Sequence, residues 1–302
     1  YVVPEGQETL LPDKLFYHCC SIEELVLPKN IREIGIGAFW KCIKLQKLSI
    51  PDEVTRINST AFGVCNALEQ ITLPRDLEYL GGYAFTYCAN LKEVTIPEGV
   101  KVLNKRLFDN ATSLTKVQLP SRMDAFEPEA FLGAEALQSV TIPNGIKTIP
   151  ASCFDGCRAL LEVTIPADVE RIEETAFQDN NLLHTIHFSE GLKTIGLDAF
   201  KNCRSLKQLE LPNSLQEIAM GAFQECESIG SIKFGAGLTH IGEKAFWHCH
   251  ALQQLELPSS LEQLDYAAFA ESTNLKRVTI GAAAPLLGQN PFLGCLKLQA
   301  FV

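Results

Sequence analysis

The sequence lacks the features by which many enzymes and membrane proteins are recognised. No stretch approaches the ~18 consecutive apolar residues that a membrane-spanning helix requires, and no targeting signal is visible. The glycine-rich phosphate loop, the His-Glu-x-x-His zinc motif and the nucleophile elbow of hydrolases are also missing. We therefore expect no membrane insertion, no enzymatic activity, and no catalytic, metal-binding or cofactor-binding residues.

The dominant feature of the sequence is a phenylalanine at every twenty-third position. Thirteen phenylalanines follow one another at this interval from Phe16 to Phe292, and only four others occur. A fixed period of roughly 20–50 residues is typical of stacked repeats, each of which contacts only its neighbours. We predict one continuous array of about 13 repeats over residues 1–302. Because the first residues resemble the tail of an earlier repeat and the last ones stop within a strand, we expect a fragment of a longer chain.

Each repeat has the same internal pattern when positions are counted from its phenylalanine. Aliphatic residues occupy +6, +9 and +11, and proline usually follows at +12. Val94 and Ile96 alternate around Thr95, which indicates a strand, and Pro97 ends it because proline has no N–H for the ladder. Ala at −1, Phe85 at zero and Cys at +3 have the spacing of a short helical or 3₁₀ turn. The sequence therefore predicts a strand, a turn, an extended return and a helical turn, with the phenylalanines stacked in the core.

The pattern L-x-x-[VIL]-x-[IL]-P-x-x-[VIL]-x-x-I-G-x-x-A-F-x-x-C resembles the BspA-like leucine-rich repeat, also called the Treponema pallidum type. The repeat that runs from Leu206 through Pro212 and Ile218 to Phe223 and Cys226 matches it nearly in full. Other residues replace the proline or the cysteine at Ser189, Gly235, Gly281, Ala111, Ala134, Asn180 and Ser272. The resemblance covers essentially the whole chain. It implies an α/β fold, a right-handed leucine-rich-repeat solenoid with a parallel sheet on the concave face and short helical or 3₁₀ turns on the convex side.

The cysteines follow the repeat. Nine of the eleven occupy position +3, where their Cβ atoms point the same way instead of facing each other, so a disulfide framework is not expected. Ala111 and Ala134 stand at the same position, which indicates a small buried residue. We predict a buried, reduced ladder of thiols, as in the cytosol or an anaerobic exterior. The spacing of Cys153 and Cys157 follows from the repeat and does not indicate a metal or redox site.

Two surfaces are candidates for binding. The outward strand positions +8 and +10, with +7 at the edge, carry seven acidic and seven basic residues, so no basic stripe for nucleic acid is present and the net charge of −10 lies elsewhere. The candidate protein-binding residues on this concave face are Lys47, Glu93, Lys116, Glu162, His184, His187, Glu210 and Lys233. The alternative is a convex aromatic patch of Tyr17, Trp40, Tyr83 and Tyr87. A simpler interpretation of each surface stays open: Trp40 packs across a neighbouring turn as partial cover, and the two histidines are an ordinary surface pair.

The resemblance implies a function as well as a fold. Members of this family are secreted or displayed on the cell surface, and some act as adhesins toward host matrix or plasma proteins. We therefore expect a non-catalytic protein–protein interaction module. One alternative is a structural spacer that carries an unseen domain, and another is a cytoplasmic scaffold, which the reduced thiols would suit. The residues identify neither the ligand nor the oligomeric state.

Overall fold

The structure is a computed structural model that describes residues 9–281 and 285–302. The chain divides into two compact units, of which the first ends at Ile146 and the second begins at Lys147. Within each unit, most repeats contribute one longer strand near positions +8 to +11 and one two-residue return strand at +17 and +18. Strands are numbered below in chain order.

The longer strands lie where the alternation of branched aliphatic residues predicts them. In the first unit they are β2 (Glu24–Val26), β4 (Lys47–Ser49), β7 (Glu93–Thr95) and β9 (Lys116–Gln118). In the second they are β12 (Glu162–Ile165), β14 (Thr185–Phe188), β16 (Gln208–Glu210), β18 (Ser231–Lys233), β20 (Gln254–Leu257), β22 (Arg277–Ile280) and β24 (Ala300–Phe301). Paired strands are parallel and one repeat apart, so Leu25 lies opposite Leu48 and Val163 opposite Ile186.

The return path, predicted only as extended, forms a second set of parallel strands. In the first unit these are β1 (Leu10–Leu11), β3 (Glu33–Ile34), β5 (Arg56–Ile57), β6 (Tyr79–Leu80), β8 (Val102–Leu103) and β10 (Ala125–Phe126). In the second they are β11 (Thr148–Ile149), β13 (Arg171–Ile172), β15 (Thr194–Ile195), β17 (Glu217–Ile218), β19 (His240–Ile241), β21 (Gln263–Leu264) and β23 (Leu286–Leu287). All seven of the latter join one continuous sheet.

The sheet of longer strands is divided, unlike the single sheet that the sequence predicts. Its pieces are β2-β4 and β7-β9 in the first unit, and β12-β14, β16-β18 and β20-β22-β24 in the second. The phenylalanine rings of successive repeats are 5.0–5.9 Å apart within the units. Hydrogen-bonded strands lie only about 4.8 Å apart. Ring spacing does not account for the breaks, because the rings beside the paired strands β22 and β24 are 5.9 Å apart and those beside the unpaired strands β14 and β16 are 5.1 Å apart.

The predicted helical turns are wrong. Among the described residues the chain forms neither α-helix nor 3₁₀ helix. In all thirteen repeats the residues two before and two after the phenylalanine have φ between 50° and 74°, as at Gly37 and Lys41. Two left-handed residues four positions apart prevent the turn from forming a right-handed helix. The amide of Phe39 also donates to the carbonyl of Ala61 in the next repeat, at 2.8 Å, instead of to its own turn. These turns are therefore stacked against each other.

The phenylalanine core is confirmed. From Phe39 to Phe131 in the first unit and from Phe154 to Phe269 in the second, every repeat phenylalanine is fully buried. Within each unit successive rings are stacked with interplanar angles of 3–16°. Centroids more than 5 Å apart with nearly parallel planes define offset stacking, which the ring quadrupole favours.

The predicted burial is confirmed for seven of the nine ladder cysteines, whereas Cys19 and Cys295 are half-buried. The structure also shows why cysteine suits position +3. The thiols of seven ladder cysteines donate to the carbonyl of the phenylalanine in the preceding repeat, at 3.1–3.7 Å. Asn180, which replaces one of them, donates its amide to the carbonyl of Phe154 at 2.9 Å. Burial raises the pKa of the Cys42 thiol to about 11 and that of the Cys88 thiol to about 12. These thiols therefore stay protonated and lack the thiolate character of a nucleophile or a metal ligand.

Candidate binding surface

We call the outward side of the longer strands in each unit its strand face. In the first unit it carries Lys47, Glu93 and Lys116, all of them exposed. The Nζ atom of Lys47 lies 2.7 Å from a carboxylate oxygen of Glu24, one repeat earlier. Glu93 and Lys116 are register partners on β7 and β9. The first unit therefore brings Glu93 and Lys116 side by side, and Lys47 lies two repeats before Glu93.

The strand face of the second unit carries the other five predicted residues. His187 on β14 and Glu210 on β16 line a cleft of about 520 Å³ together with His184. Glu210 and Lys233 are register partners on β16 and β18. Glu162 lies on β12, outside the cleft. The structure thus brings three of these residues to one cleft, which opens where β14 and β16 are not paired.

The histidine pair lies in this cleft without a strong electrostatic partner of its own. The Nδ1 atom of His184 is 2.9 Å from the Oγ1 atom of Thr185, and the ring is exposed. Phe188 and Lys207 complete the apolar and basic parts of the lining. A cleft of this composition offers a donor, an acceptor and an aromatic edge for a partner's side chain.

A larger groove lies on the strand face of the first unit, and of the predicted residues Lys47 lines it. It has a volume of about 1030 Å³ and lies between β4 and residues 69–72 of the next repeat. A second cavity of about 650 Å³ continues it past Gln70 and Thr72 to Glu93 and Lys116. The departure of residues 69–72 from regular pairing was not visible in the repeat pattern, because Ile71 and Leu73 keep the aliphatic phase.

The four aromatic residues of the alternative patch have different environments. Tyr17 and Tyr87 are exposed, whereas Trp40 and Tyr83 are half-buried. The indole of Trp40 lies over Gly63 in the next repeat, where an added Cβ would come within 2.1 Å of its Cζ3 atom. Trp40 therefore covers a neighbouring turn, the alternative that the sequence left open.

The return strands present a polar row that sequence analysis did not propose as a surface. In the first unit the guanidinium of Arg56 lies 3.8 Å from the ring centroid of Tyr79 and 3.6 Å from a carboxylate oxygen of Glu33. In the second, the Nε2 atom of His240 is 2.8 Å from a carboxylate oxygen of Asp265. These contacts pair the polar side chains with one another within the protein. The polar residue at +17, between the aliphatic residues at +15 and +18, was the signal for this row.

The described residues hold no group of three or more His, Cys, Asp or Glu side chains arranged to bind a metal ion. Cys153 and Cys157 are both fully buried, as the repeat phase predicts. In the part of the chain that the structure describes, no helix has the length and apolar character needed to cross a membrane.

The repeat, the stacked phenylalanines and the strand faces together define a leucine-rich-repeat protein. The family described as the BspA type leucine rich repeat region (6 copies) matches residues 9–135, 103–210 and 193–302. The chain belongs to this family. Leucine-rich-repeat proteins are typically non-catalytic modules that bind protein ligands, and BspA-type members are typically secreted or on the cell surface. No curated protein matches the chain.

Solved bacterial structures share the fold. A leucine-rich repeat protein from Bacteroides ovatus is 27% identical with a TM-score of 0.62, over 95% of this chain and 80% of that one. A leucine rich cell surface protein from Faecalibacterium prausnitzii is 26% identical with a TM-score of 0.57, over 99% of this chain and 84% of that one. A leucine-rich repeat protein from Eubacterium ventriosum, 19% identical over 95% of this chain and 80% of that one, has a TM-score of 0.57 and supports the fold alone.

Proposed function

We propose that this chain is a non-catalytic protein-binding module of a secreted or cell-surface protein, adhesin-like toward host matrix or plasma proteins, and that its strand faces bind the partner. The observation that carries the proposal is the arrangement of the predicted residues. All eight are exposed on the strand faces, and three of them line one cleft in the second unit. The similarity to a cell-surface protein of Faecalibacterium prausnitzii supports the location.

Charge balance indicates the kind of partner. Glu93 faces Lys116 and Glu210 faces Lys233 across paired strands, so both signs are presented together. A surface of this kind favours a partner with matching alternate charges over a uniformly charged polymer, because like charges directly opposite each other are destabilising. A folded host protein fits this description, and nucleic acid does not.

The test is a binding screen of the purified chain against host matrix and plasma proteins. The strand-face variants are Lys116→Glu in the first unit and Lys233→Glu in the second. The matched control is Arg171→Glu, which makes the same charge change on an exposed return strand. Loss of saturable binding with a strand-face variant, and retention with the control, is the expected result.

Three results would overturn the proposal. Equal loss with Arg171→Glu would mean that the chain responds only to net charge. Loss with Trp40→Ala alone would move the site to the turns. A well-folded chain that binds no protein would leave the structural spacer as the better hypothesis.

A further inference from the structure

The strand ladder of the first unit is open on one side of β4. This strand pairs with β2 and with no other strand among the described residues. Residues 69–72 of the next repeat form no strand, and their link to the following repeat is a single bridge between Gln70 and Glu93. The edge of β4 that faces residues 69–72 is therefore without the pairing that closes other edges.

Main-chain hydrogen bonds show which groups lie on the open edge. The amide of Lys47 donates to Glu23 at 3.2 Å, and the carbonyl of Ser49 accepts from Leu27 at 3.1 Å. Residues 47 and 49 thus point their main-chain groups toward β2. Because successive residues of a strand point these groups to opposite sides, the N–H and C=O of Leu48 point toward the groove.

The equivalent groups are satisfied where the ladder continues to the next repeat. On β7, at the repeat positions of Leu48 and Ile50, Val94 lies opposite Val117 of β9 and the amide of Ile96 donates to the carbonyl of Gln118 at 2.8 Å. Between residues 46–50 and 69–73, both within the described part of the chain, no such bond is formed. Main-chain donors and acceptors are strong hydrogen-bonding groups, so this edge is available to another chain.

The open edge also uncovers part of the core. Leu48 and Ile50 are half-buried, although their positions in the repeat point inward. The residues at the same positions on β7, Val94 and Ile96, are only 3% and 2% exposed. The groove therefore has an apolar floor.

The rim of the groove is polar but offers no free charge. The ammonium of Lys47 pairs with Glu24 at 2.7 Å, and that of Lys92 pairs with Glu69 at 2.6 Å. The remaining polar lining consists of neutral side chains: Gln46, Ser49, Gln70, Thr72 and Asn90. None of the lining residues is aromatic, so the stacking platform that sugars favour is missing from this groove.

The geometry points to a peptide-binding groove in the first unit. We infer that it takes an extended, uncharged segment of a partner protein, whose main chain pairs with the free edge of β4 and whose aliphatic side chain packs on Leu48 and Ile50. Main-chain bonds supply the affinity in this mode of recognition, and the floor supplies the specificity. The inference rests on the proposed function as a protein-binding module and assigns that module a ligand class.

The probe is a pool of acetylated, amidated nine-residue peptides composed of Ser, Thr, Gln, Val and Leu. Binding is measured by fluorescence anisotropy, and the contact is located by amide hydrogen exchange. The Leu48 and Ile50 amides should exchange rapidly in the free protein and become protected by the pool. Thr72→Arg, which places a long charged side chain in the groove, should weaken binding about tenfold or more.

The matched control is Thr164→Arg, at the same repeat position on β12, which is paired in the second unit. It should leave the apparent Kd within about twofold. A peptide pool with N-methylated main chains should not bind, because it lacks the donors. Protection that appears elsewhere, or equal loss with both variants, overturns the inference.

The two proposals fail separately. If host proteins bind through the strand face while the pool shows no binding, the groove assignment is wrong and the general function stands. If the pool protects residues 46–50 while the host-protein screen is negative, the groove is supported and the host partner is wrong.

Discussion

Replacing Ser272 by cysteine should stabilise the protein. Ser272 stands at the ladder position in the second unit, is fully buried, and its hydroxyl has no hydrogen-bond partner. The cysteines on either side along the ladder, Cys249 and Cys295, donate their thiols to the carbonyls of Phe223 and Phe269, at 3.7 and 3.3 Å. The counterpart for residue 272 is the carbonyl of Phe246, and the longer C–S bond should let a cysteine sulfur reach it where the serine oxygen does not.

The magnitude follows from the orphan hydroxyl. Burying a polar group without a partner costs about 1–3 kcal/mol, and a thiol behaves as a small hydrophobe with a weak donor. Ser272→Cys should therefore raise the free energy of unfolding by about 1–3 kcal/mol. For a chain of 302 residues, each kcal/mol corresponds to a rise of roughly 1.5–2 °C in Tm.

The assay is urea unfolding followed by tryptophan fluorescence. The chain has two tryptophans, so Trp40→Phe leaves Trp247, one repeat before Ser272, as the sole reporter. Ser272→Ala in the same background removes the hydroxyl without supplying a thiol. If Ser272→Cys is no more stable than the parent, the orphan-hydroxyl argument is refuted; if the alanine variant equals it, the thiol bond contributes nothing.

Two further substitutions test packing and pH dependence. Gly63→Ala should displace the indole of Trp40, destabilise the protein by about 1–3 kcal/mol and red-shift the emission of Trp40. The control is Gly230→Ala, which should have neither effect because the nearest atom to the added methyl group would be 3.9 Å away. An unshifted Trp40 emission in Gly63→Ala would contradict the close contact. Burial is the main cause, and the charge of the neighbouring Asp179 the second, that raises the pKa of Asp155 to about 6 in the folded protein. Because folding favours the protonated carboxyl, the free energy of unfolding should fall as pH rises from about 4 to 6. Asp155→Asn should remove that decline and raise the stability at pH 7, as urea unfolding across this pH range would show.

Part of the candidate site could be predicted from the sequence. The period-two alternation places Glu93, Lys116 and Glu210 on the outward side of strands, and all three are exposed there. The groove beside Leu48 could not be predicted, because its sequence keeps the aliphatic phase of every closed repeat. Whether the strands of two neighbouring coils form ladder hydrogen bonds depends on the distance between those coils, which no single repeat encodes.

The failed prediction of helical turns has a similar cause. Ala38, Phe39 and Cys42 have helical spacing, but the amide of Phe39 is satisfied by the next repeat and the flanking residues Gly37 and Lys41 are left-handed. Bonds between repeats compete with bonds inside a turn, and the stacked arrangement satisfies both sets of amides. A local pattern cannot show which partner an amide will choose.

By itself, the sequence determined the repeat length, the family, the buried phenylalanines and the inward thiols. These follow from identical units stacked in register, where each residue meets its own counterpart one repeat away. Only the tertiary structure decided the return sheet, the cover of Trp40 over Gly63 and the open edge of β4. Each of these depends on the spacing between neighbouring coils, because differences of about an ångström separate a bonded ladder from an open groove.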